Sequence, residues 1–463
     1  MKNERVLSRR KFLGEASCAA VGSTALFSSL LNLRMAATAA ATDLSPNDDY
    51  KAMVCLFLQG GNDSFNMLVP RNQSAYNEYA QTRNNLALPQ ENLLPISSPG
   101  QSYSEFGVHP SMWRLQELYN NQDLAFVSNV GTLIGPIKDR NEFENTSRLR
   151  PSGLFSHSDQ QIHWQTSMPQ IKGAGPGGWG GRTADLLQSM NENSLVSMNI
   201  SLSGVNVFQA GNEAFSYISG LNGGTEMVAY SDPFEKAAVD GLLELEYKNL
   251  FTSTFAKNTR RFIDSSIIFN KAIENISLTT QPEVSTRLTQ RMTMVARTIA
   301  AHETLNHKRQ TFFVRTGGWD HHSEVLNAQE LMLGEVDAAV KYFKEAMDEI
   351  GMAEKVVLFT ASDFGRTLTS NGAGSDHAWG GNQFVLGGPV NGGRIYGQYP
   401  SLALSNSLML NRARLIPTTS VDEYSSELAR WFGVSGGEME TVFPNILNFY
   451  DPALITHPLG FLS

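Results

Sequence analysis

The stretch AMVCLFLQGGNDS, residues 52–64, decides the fold of this chain. Its first part, residues 52–58, is apolar at every position, which predicts a strand with both faces buried, as in the centre of a parallel sheet. A glycine-rich turn follows, and Asp63 comes just after the carboxyl end of the strand. The pattern indicates an α/β protein with polar groups at one edge of its sheet.

Two later segments repeat this arrangement of a buried strand followed by a carboxylate. The segment QTFFVRTGGWDHH, residues 310–322, predicts a strand that leads to Asp320, and KVVLFTASDFGR, residues 355–366, predicts one that leads to Asp363. In open α/β sheets, ligands bind beyond the carboxyl ends of the strands. We therefore expect Asp63, Asp320 and Asp363 to share one site.

Three carboxylates at one edge of a sheet repel one another unless positive charge lies between them, and a pair of metal ions is the simplest source of that charge. Histidines next to acidic residues support this interpretation: His321 and His322 follow Asp320, and Asp376 precedes His377. Mixed Asp and His ligands suit zinc, manganese or iron better than calcium alone. We therefore expect one or two divalent ions at the site.

The remaining periodic segments alternate between strands and helices, which favours a layered α/β sheet. The predicted strands are residues 52–58, 123–129, 196–203, 310–315, 355–361 and 384–386; the predicted helices are residues 111–120, 158–166, 323–350 (with Ser323 as its cap) and 423–432; and residues 233–307 form a helical insertion or layer with a break near 279–282.

The N-terminus reads as an export signal. Residues 8–13, SRRKFL, are typical of a twin-arginine signal; a weakly apolar stretch follows at about 16–33, and residues 37–41, ATAAA, offer small-residue cleavage sites. We expect residues 1–41 to be the signal peptide and 42–463 the mature domain, exported by the twin-arginine translocase to the periplasm or the outside of the cell. An uncleaved membrane anchor is the alternative.

The composition of the mature chain excludes some classes of partner. Removing the signal, with its six basic and two acidic residues, changes the formal net charge from −9 to −13, which argues against nucleic acid. No later segment has the length and apolarity of a membrane span. Cys55 is then the single cysteine, so we expect an inert core thiol and no internal disulfide.

The sequence resembles the family catalogued as domain of unknown function 1501, which is related to the alkaline phosphatase/sulfatase superfamily. The resemblance covers nearly the whole mature chain. It lies in the motifs LQGGND (58–63), VHP (108–110), FSH (155–157), GWGGR (178–182), GGWDHH (317–322), DFGRT (363–367) and DH (376–377).

The resemblance implies an alkaline phosphatase-like layered α/β sheet, mostly parallel, with helices on both faces. It implies that Asp63 binds metal and that later Asp and His residues complete one or two metal sites. The residues in suitable positions are Asp320, His322, Asp363 and His377, with His321 or Asp376 able to replace a neighbour.

Members of the superfamily use a Cys, Ser or Thr nucleophile at the start of a helix, and by resemblance Ser156 takes that place, with Ser64 as its rival. Ser156 as an ordinary helix cap is the structural alternative. Arg366 and Arg182 are candidates for holding an anionic group. The sulfatase motif Cys-x-Pro-x-Arg is absent from the sequence, which disfavours ordinary sulfatase chemistry.

These observations lead to two hypotheses. The first is an exported metal-dependent hydrolase of phosphate or sulfate esters, acting on an anionic small molecule or polysaccharide. The second is an exported binding or assembly protein that keeps the fold without catalysis. Phe364 favours the second, because a His directly follows the corresponding Asp in alkaline phosphatases.

Overall fold

The computed structural model of the protein describes residues 50–173, 175, 177–192 and 195–462. The export signal expected at residues 1–41 lies outside the described residues and stays a prediction. From Tyr50 onward the chain forms one compact unit.

The strands, in chain order, are β1 (Lys51–Gln59), β2 (Leu68–Pro70), β3 (Leu94–Ser97), β4 (Glu105–Val108), β5 (Leu124–Gly131), β6 (Asn199–Ser201), β7 (Ser216–Gly220), β8 (Gly223–Gly224), β9 (Arg309–Gly317), β10 (Val356–Ser362), β11 (Gly381–Leu386), β12 (Ile395–Tyr396), β13 (Met409–Leu410), β14 (Arg414–Leu415) and β15 (Thr419–Ser420). Ten of them form one sheet in the order β12-β5-β11-β10-β1-β9-β6-β7-β8, with β15 beside β5. Two small sheets, β2-β4-β3 and β13-β14, complete the strands of the described residues.

The large sheet is mostly parallel. Strand β1 runs parallel to both of its neighbours, with Leu58 in register with Thr316 of β9 and with Ser362 of β10. Strand β11 is antiparallel to β5 and β10, and β8 is antiparallel to β7. The expected mostly parallel sheet is confirmed.

The helices are α1 (Ser64–Met67), α2 (Gln73–Arg83), α3 (Trp113–Asn120), α4 (Arg140–Asn145), α5 (His157–Thr166), α6 (Trp179–Leu187), α7 (Pro233–Leu243), α8 (Leu250–Ile273), α9 (Arg287–Ala300), α10 (Val325–Glu349), α11 (Val421–Phe432) and α12 (Met439–Val442). None of them combines the length and the apolar character that a membrane crossing requires, within the part of the chain that is described.

Alternate side chains of β1 enter two different cores, as the period of two of a strand requires. Val54 and Leu56 join the core that also contains residues of α3, α9 and α10, whereas Met53 and Phe57 join the core built with α6 and α11. Helices therefore cover both faces of the sheet, which confirms the expected fold class. Cys55 belongs to the second core, where burial raises the pKa of its thiol.

Two helix starts differ from the sequence prediction. Helix α10 begins at Val325, and the preceding Glu324 adopts a left-handed conformation with φ of 54°, so the expected cap at Ser323 is wrong. Helix α11 begins at Val421, two residues before the predicted start. The reason is a capping box, in which Ser420 accepts a hydrogen bond from the N–H of Glu423 while the Glu423 carboxylate accepts one from the N–H of Ser420.

The predicted helical region at 233–307 contains α7, α8 and α9, and the predicted break falls in the connection between α8 and α9. The three helices differ in burial. Helix α9 contributes Met292, Val295 and Ile299 to the first core, whereas α7 buries none of its residues.

Asp422, in the first turn of α11, is a buried carboxyl group that makes the stability of the fold depend on pH. Burial raises the pKa of its carboxyl to about 7, although the Ser167 hydroxyl donates a hydrogen bond to it. An unfolded Asp titrates near pH 4, so the folded state holds an extra proton between about pH 4 and pH 7 and loses stability as the pH rises through this window. We expect Asp422→Asn to raise the free energy of unfolding by about 2–3 kcal/mol more at pH 8.5 than at pH 5, because most of the proton-linked loss lies between these two pH values. Urea unfolding at both pH values measures this, and an equal effect at the two would contradict it.

Candidate metal centre

The loops that follow β1, β9 and β10 meet at the carboxyl edge of the sheet, because these three strands are adjacent, parallel and in register. Gly60 makes the close approach possible. It has a φ of 124°, and a Cβ on it would lie 2.6 Å from the backbone nitrogen of Asp320. The Gly-Gly turn recognised in the sequence is therefore needed to bring the β1 loop against the β9 loop.

Three imidazoles and one carboxylate converge at this edge. The Nε2 atom of His377 lies 3.0 Å from the Nε2 atoms of both His157 and His322 and 3.2 Å from Oδ1 of Asp320. Asp320 Oδ1 is 3.0 Å from His322 Nε2, and its Oδ2 is 3.2 Å from His157 Nε2. The donor atoms of His157, Asp320 and His377 all lie within 4.8 Å of one another.

The opposite nitrogen of each imidazole is bound to an oxygen acceptor. The Nδ1 atom of His157 lies 2.7 Å from Asp363 Oδ2, that of His377 lies 2.9 Å from the carbonyl oxygen of Phe155, and that of His322 lies 3.2 Å from Asp376 Oδ1. A carbonyl oxygen or a carboxylate only accepts hydrogen bonds, so each Nδ1 carries the proton and donates. In the neutral ring this leaves the three Nε2 lone pairs directed at one another and at Asp320.

Lone pairs that face each other at 3.0 Å repel unless a positive species lies among them. A single proton satisfies one of the two imidazole contacts of His377, whereas a cation satisfies both. Nitrogen and oxygen ligands about 2.0–2.1 Å from a tetrahedral zinc ion stand roughly 3.3 Å apart, close to the separations observed here. The residues present therefore fit a divalent ion, and hydrogen bonds from the outer nitrogens orient the ligands as in known metal sites.

The cluster is open to solvent on one side. The side chains of Asp320 and His322 are 40% and 47% exposed, whereas those of the orienting Asp363 and of Arg366 are buried. Structural zinc sites are closed by four protein ligands, and catalytic sites keep a position that a small molecule reaches. The exposure of this cluster resembles the second kind.

His157 was not among the ligands predicted from the sequence. It is the first residue of α5, and its ring reaches Asp363 at the end of β10. The hydrogen bond with Asp363 raises the pKa of His157 against the opposing effect of burial, while burial first, and then the nearby His157 and Arg366, lower the pKa of His377. The sequence signal was present in the motif FSH at 155–157, but nothing in this motif alone identified His157 as a ligand.

Asp363 and Asp376 lie behind the cluster, each bound to the Nδ1 side of a histidine. Asp363 is fully buried and accepts hydrogen bonds from the Gly60 N–H and from Gln161 Nε2 in addition to His157. Both carboxylates therefore orient a ligand in this structure instead of pointing at the centre. His321 is buried outside the cluster, and its Nδ1 has no hydrogen-bond partner among the described residues.

Asp63 does not belong to the group of His157, Asp320 and His377, and it is bound to an arginine that sequence reasoning missed. Arg83, at the end of α2, donates from Nη2 to Asp63 Oδ2 at 2.7 Å, and both side chains are buried. The Ser375 hydroxyl donates to the same oxygen at 3.0 Å. Nothing in the periodicity of α2 marks Arg83 as a residue of the sheet edge.

Arg366 provides a second internal cation. It donates from Nη1 to Asp320 Oδ1 at 2.6 Å and from Nη2 to the carbonyl oxygen of Ser375. Burial opposes the charge of Asp320, but Arg366 and the nearby imidazoles outweigh it and lower the pKa of Asp320. The two arginines neutralise Asp63 and Asp320, so the repulsion among carboxylates that suggested a metal pair is already relieved. The case for an ion rests on the imidazoles.

Arg182 lies elsewhere and has a structural role. It is buried in α6 and donates to the carbonyl oxygens of Thr166, Gly177 and Val442. Its guanidinium group is therefore occupied by backbone and does not face the cluster.

The two serines predicted as nucleophiles have different environments. Ser64 is buried, and its Oγ accepts a hydrogen bond from the N–H of Asn382 at 2.7 Å. Ser156 is half-buried at the N-cap of α5, next to the ligand His157. Its Oγ caps no backbone N–H and lies 3.1 Å from Ser158 Oγ. The structure therefore leaves the hydroxyl of Ser156 the more accessible of the two.

Comparison with known proteins places the chain in a family. The model of the family described as "Protein of unknown function (DUF1501)" matches residues 50–443. The chain belongs to this family. The sequence resemblance is thereby confirmed, and no curated protein matches the chain.

Solved structures of other proteins are similar to this DUF1501 member at low sequence identity. The lipoteichoic acid synthase LtaP from Listeria monocytogenes is 10% identical, with 90% of this chain and 81% of that one covered, at a TM-score of 0.34. The protein Ps i-CgsB is 12% identical, with coverages of 87% and 77%, at a TM-score of 0.35. Its complex with k-i-k-neocarrahexaose gives 11% identity over the same shares, at a TM-score of 0.32.

The adjacent pair His321 and His322 gives a matched test of the candidate metal centre. We expect His322→Ala to weaken zinc binding by about 100-fold, because it removes an Nε2 donor, and His321→Ala to leave it within about threefold. Asp363→Asn is expected to weaken binding by about 10- to 100-fold through the lost orientation of His157. Competition titration with a chromophoric chelator measures each affinity. Equal losses for His321→Ala and His322→Ala would contradict the assignment.

The Asp63–Arg83 pair gives a second test. We expect Asp63→Asn to lower the free energy of unfolding by about 3–5 kcal/mol, because the substitution leaves Arg83 buried without its counter-ion. We expect the zinc content per folded chain to stay the same, since Asp63 lies apart from the cluster. Denaturant unfolding and elemental analysis of the folded fraction measure the two effects. Loss of the ion in Asp63→Asn would show that Asp63 is a ligand after all.

Proposed function

We propose that this chain is an exported, metal-dependent hydrolase of phosphate or sulfate esters. The observation that carries the proposal is the cluster of His157, His322 and His377 around Asp320, with each Nδ1 bound to an acceptor and each Nε2 directed inward. A divalent ion bound there supplies a Lewis acid that withdraws charge from an ester oxygen. Zinc, manganese and iron all suit a donor set of imidazole and carboxylate.

We further propose that the site holds one ion. The donor atoms of His157, Asp320 and His377 lie within 4.8 Å of one another, and His322 Nε2 contacts the last two of them. The charge of the remaining carboxylate at this edge, Asp63, is offset by Arg83. Arg83 and Ser375 both bind Oδ2 of Asp63, so this carboxylate needs no second ion for charge balance, although its Oδ1 has no hydrogen-bond partner among the described residues. This interpretation replaces the pair of ions that carboxylate repulsion suggested.

The start of α5 supports an anionic substrate. This helix has ten residues, and no side chain caps its N-terminus. The first N–H groups of a helix attract anions, and here the first residue is the ligand His157. An ester oxygen at the ion would therefore have helix N–H donors nearby. Arg366 does not serve as the anion clamp in this arrangement, because Asp320 and Ser375 occupy its guanidinium group.

Ser156 is the proposed nucleophile. It immediately precedes His157 and its hydroxyl caps no backbone group, whereas Ser64 is buried against strand β11. The N-terminus of α5 favours the alkoxide of Ser156, which would attack the phosphorus or sulfur atom while the alcohol oxygen of the ester leaves; water would then hydrolyse the serine ester. An ion held by His157, Asp320 and His377 would supply positive charge for these oxygens. The substrate class remains an anionic small molecule or polysaccharide ester.

Export is part of the proposal and rests on residues 8–13, SRRKFL. Proteins with this signal fold before they cross the membrane, so the imidazole cluster would be loaded in the cytoplasm. The twin-arginine translocase is the proposed transient partner and the periplasm or cell exterior the proposed destination. Cell fractionation of the wild type beside a variant with both Arg9 and Arg10 replaced by Lys tests this.

A binding or assembly protein without catalysis is the second candidate. The observation that favours it is that the two buried arginines at this edge, Arg83 and Arg366, are bound to Asp63 and Asp320, which leaves few free cations to stabilise an anionic transition state. A protein of this kind would bind one ion without turning over esters.

Hydrolysis of aryl phosphate and aryl sulfate esters by the zinc- or manganese-loaded protein tests the proposal. We expect turnover that falls by about 1,000-fold or more in Ser156→Ala, because the nucleophile is lost. Ser158→Ala, two residues later in the same turn, is the matched control and is expected to stay within about threefold. An active Ser156→Ala would exclude this nucleophile, and a metal-loaded but inactive wild type would favour the binding protein.

A further inference from the structure

The segment from Val228 to Phe262, called the helical arm here, is exposed along almost its whole length. It contains α7 and the first half of α8. Helix α7 buries none of its residues, and Ala256 is the single buried residue of α8 before Ile263.

The arm nevertheless has well-defined helices. Asp232 caps α7 by accepting hydrogen bonds from the N–H groups of Phe234 and Glu235, and Asn249 caps α8 by accepting one from Thr252. Beyond the arm, α8 is attached to the edge of the sheet, where the rings of Phe269 and Tyr217 lie 4.8 Å apart. The arm is thus a formed element that projects from an anchored helix.

Its exposed side chains are strongly apolar. On α8, Phe251, Phe255 and Phe262 occupy positions i, i+4 and i+11, which place them on one side of the helix. On α7, Phe234 and Leu242 are separated by eight residues, which also places them near one side. The most exposed large residues of the two helices and their connection are Phe234 (84%), Leu242 (57%), Leu245 (56%), Leu250 (77%), Phe251 (86%) and Phe255 (72%).

An apolar surface of this size requires a cover. Helices of this length depend on tertiary packing for most of their stability, and α7 buries none of its residues. With Phe262, these side chains expose about 900 Å² of apolar surface, more than the roughly 300–600 Å² of the largest patch on a typical monomer.

We propose that a second copy of this chain covers the helical arm, so that the arms of two chains pack against each other in a symmetric dimer. The exposed area matches the roughly 800 Å² per partner that a stable interface buries. In such a dimer a two-fold axis relates the α7–α8 pairs of the two chains, so both chains bury the same apolar stripe. Because no stripe is left exposed, the assembly closes at two copies.

The charges of the arm favour a protein partner over a lipid surface. Residues 228–262 contain five acidic and five basic side chains, so the arm has no net charge. Several of these charges are already paired within the arm: Asp240 binds Lys236 at 2.9 Å and Arg260 at 2.5 Å. A helix that lies on an anionic membrane carries an excess of Lys and Arg on its polar face, and this arm has none.

The mass of the full chain in solution tests the proposal, measured by light scattering during size-exclusion chromatography. We expect a dimer at about 10 µM, and an increase of about 100-fold or more in the dissociation constant of Phe251→Ser/Phe255→Ser, because four buried rings are lost from each dimer. Both rings are exposed in the single chain, so the thermal transition of the monomer is expected to be retained.

The matched control is Leu331→Ser/Leu454→Ser, which removes two equally exposed apolar side chains outside the arm. This variant is expected to dimerise like the wild type. A wild type that is monomeric at about 100 µM overturns the proposal, as does a control variant that loses the dimer to the same extent. Cosedimentation with phosphatidylglycerol/phosphatidylcholine vesicles adds a further readout. A monomer that binds vesicles through Phe251 and Phe255 overturns the dimer in favour of a membrane surface.

Discussion

The parallel register of β1, β9 and β10 is the constraint on which the site depends. Because these strands end at the same level, the loops with Asp63, Asp320 and Asp363 arrive at one edge of the sheet. Gly60 lets two of these loops approach to a distance that a Cβ would not allow. The two cores on either side of the sheet hold this register, since β1 divides its side chains between them.

Within that frame, the carboxylates and the imidazoles have separate roles. Arginines neutralise Asp63 and Asp320, and Asp363 and Asp376 accept hydrogen bonds from His157 and His322. The acidic groups therefore set the tautomers and the net charge of the site, while the inward nitrogen atoms provide most of the candidate ligand atoms. This division explains how a chain with two buried arginines at its sheet edge still presents a candidate cation site.

The helical region between β8 and β9 has two different functions in the structure. Helix α9 and the end of α8 complete the first core, whereas α7 and the start of α8 form the exposed arm. The sequence predicts helix throughout this region, because a 3.6-residue period indicates an apolar stripe along one side of a helix. The period does not indicate which surface covers that stripe. The first core of the chain covers the stripes of α9 and of the end of α8. A second chain is proposed to cover the stripes of α7 and of the start of α8.

The sequence by itself determined the α/β class, the central strands and the glycine turns, since these follow from local periodicity and backbone conformation. It also pointed to Asp320, His322 and His377, which stand in loops just after or before buried strands, and the structure brings these three side chains together. Only the tertiary structure placed His157 among them, bound Arg83 to Asp63 and turned His321 away from its neighbour. The physical reason is that contacts between residues far apart in the chain depend on the rotation and length of helices such as α2 and α5. The sequence pattern gives the type of each residue. It does not show which of several side chains with the same charge reaches the shared edge of the sheet.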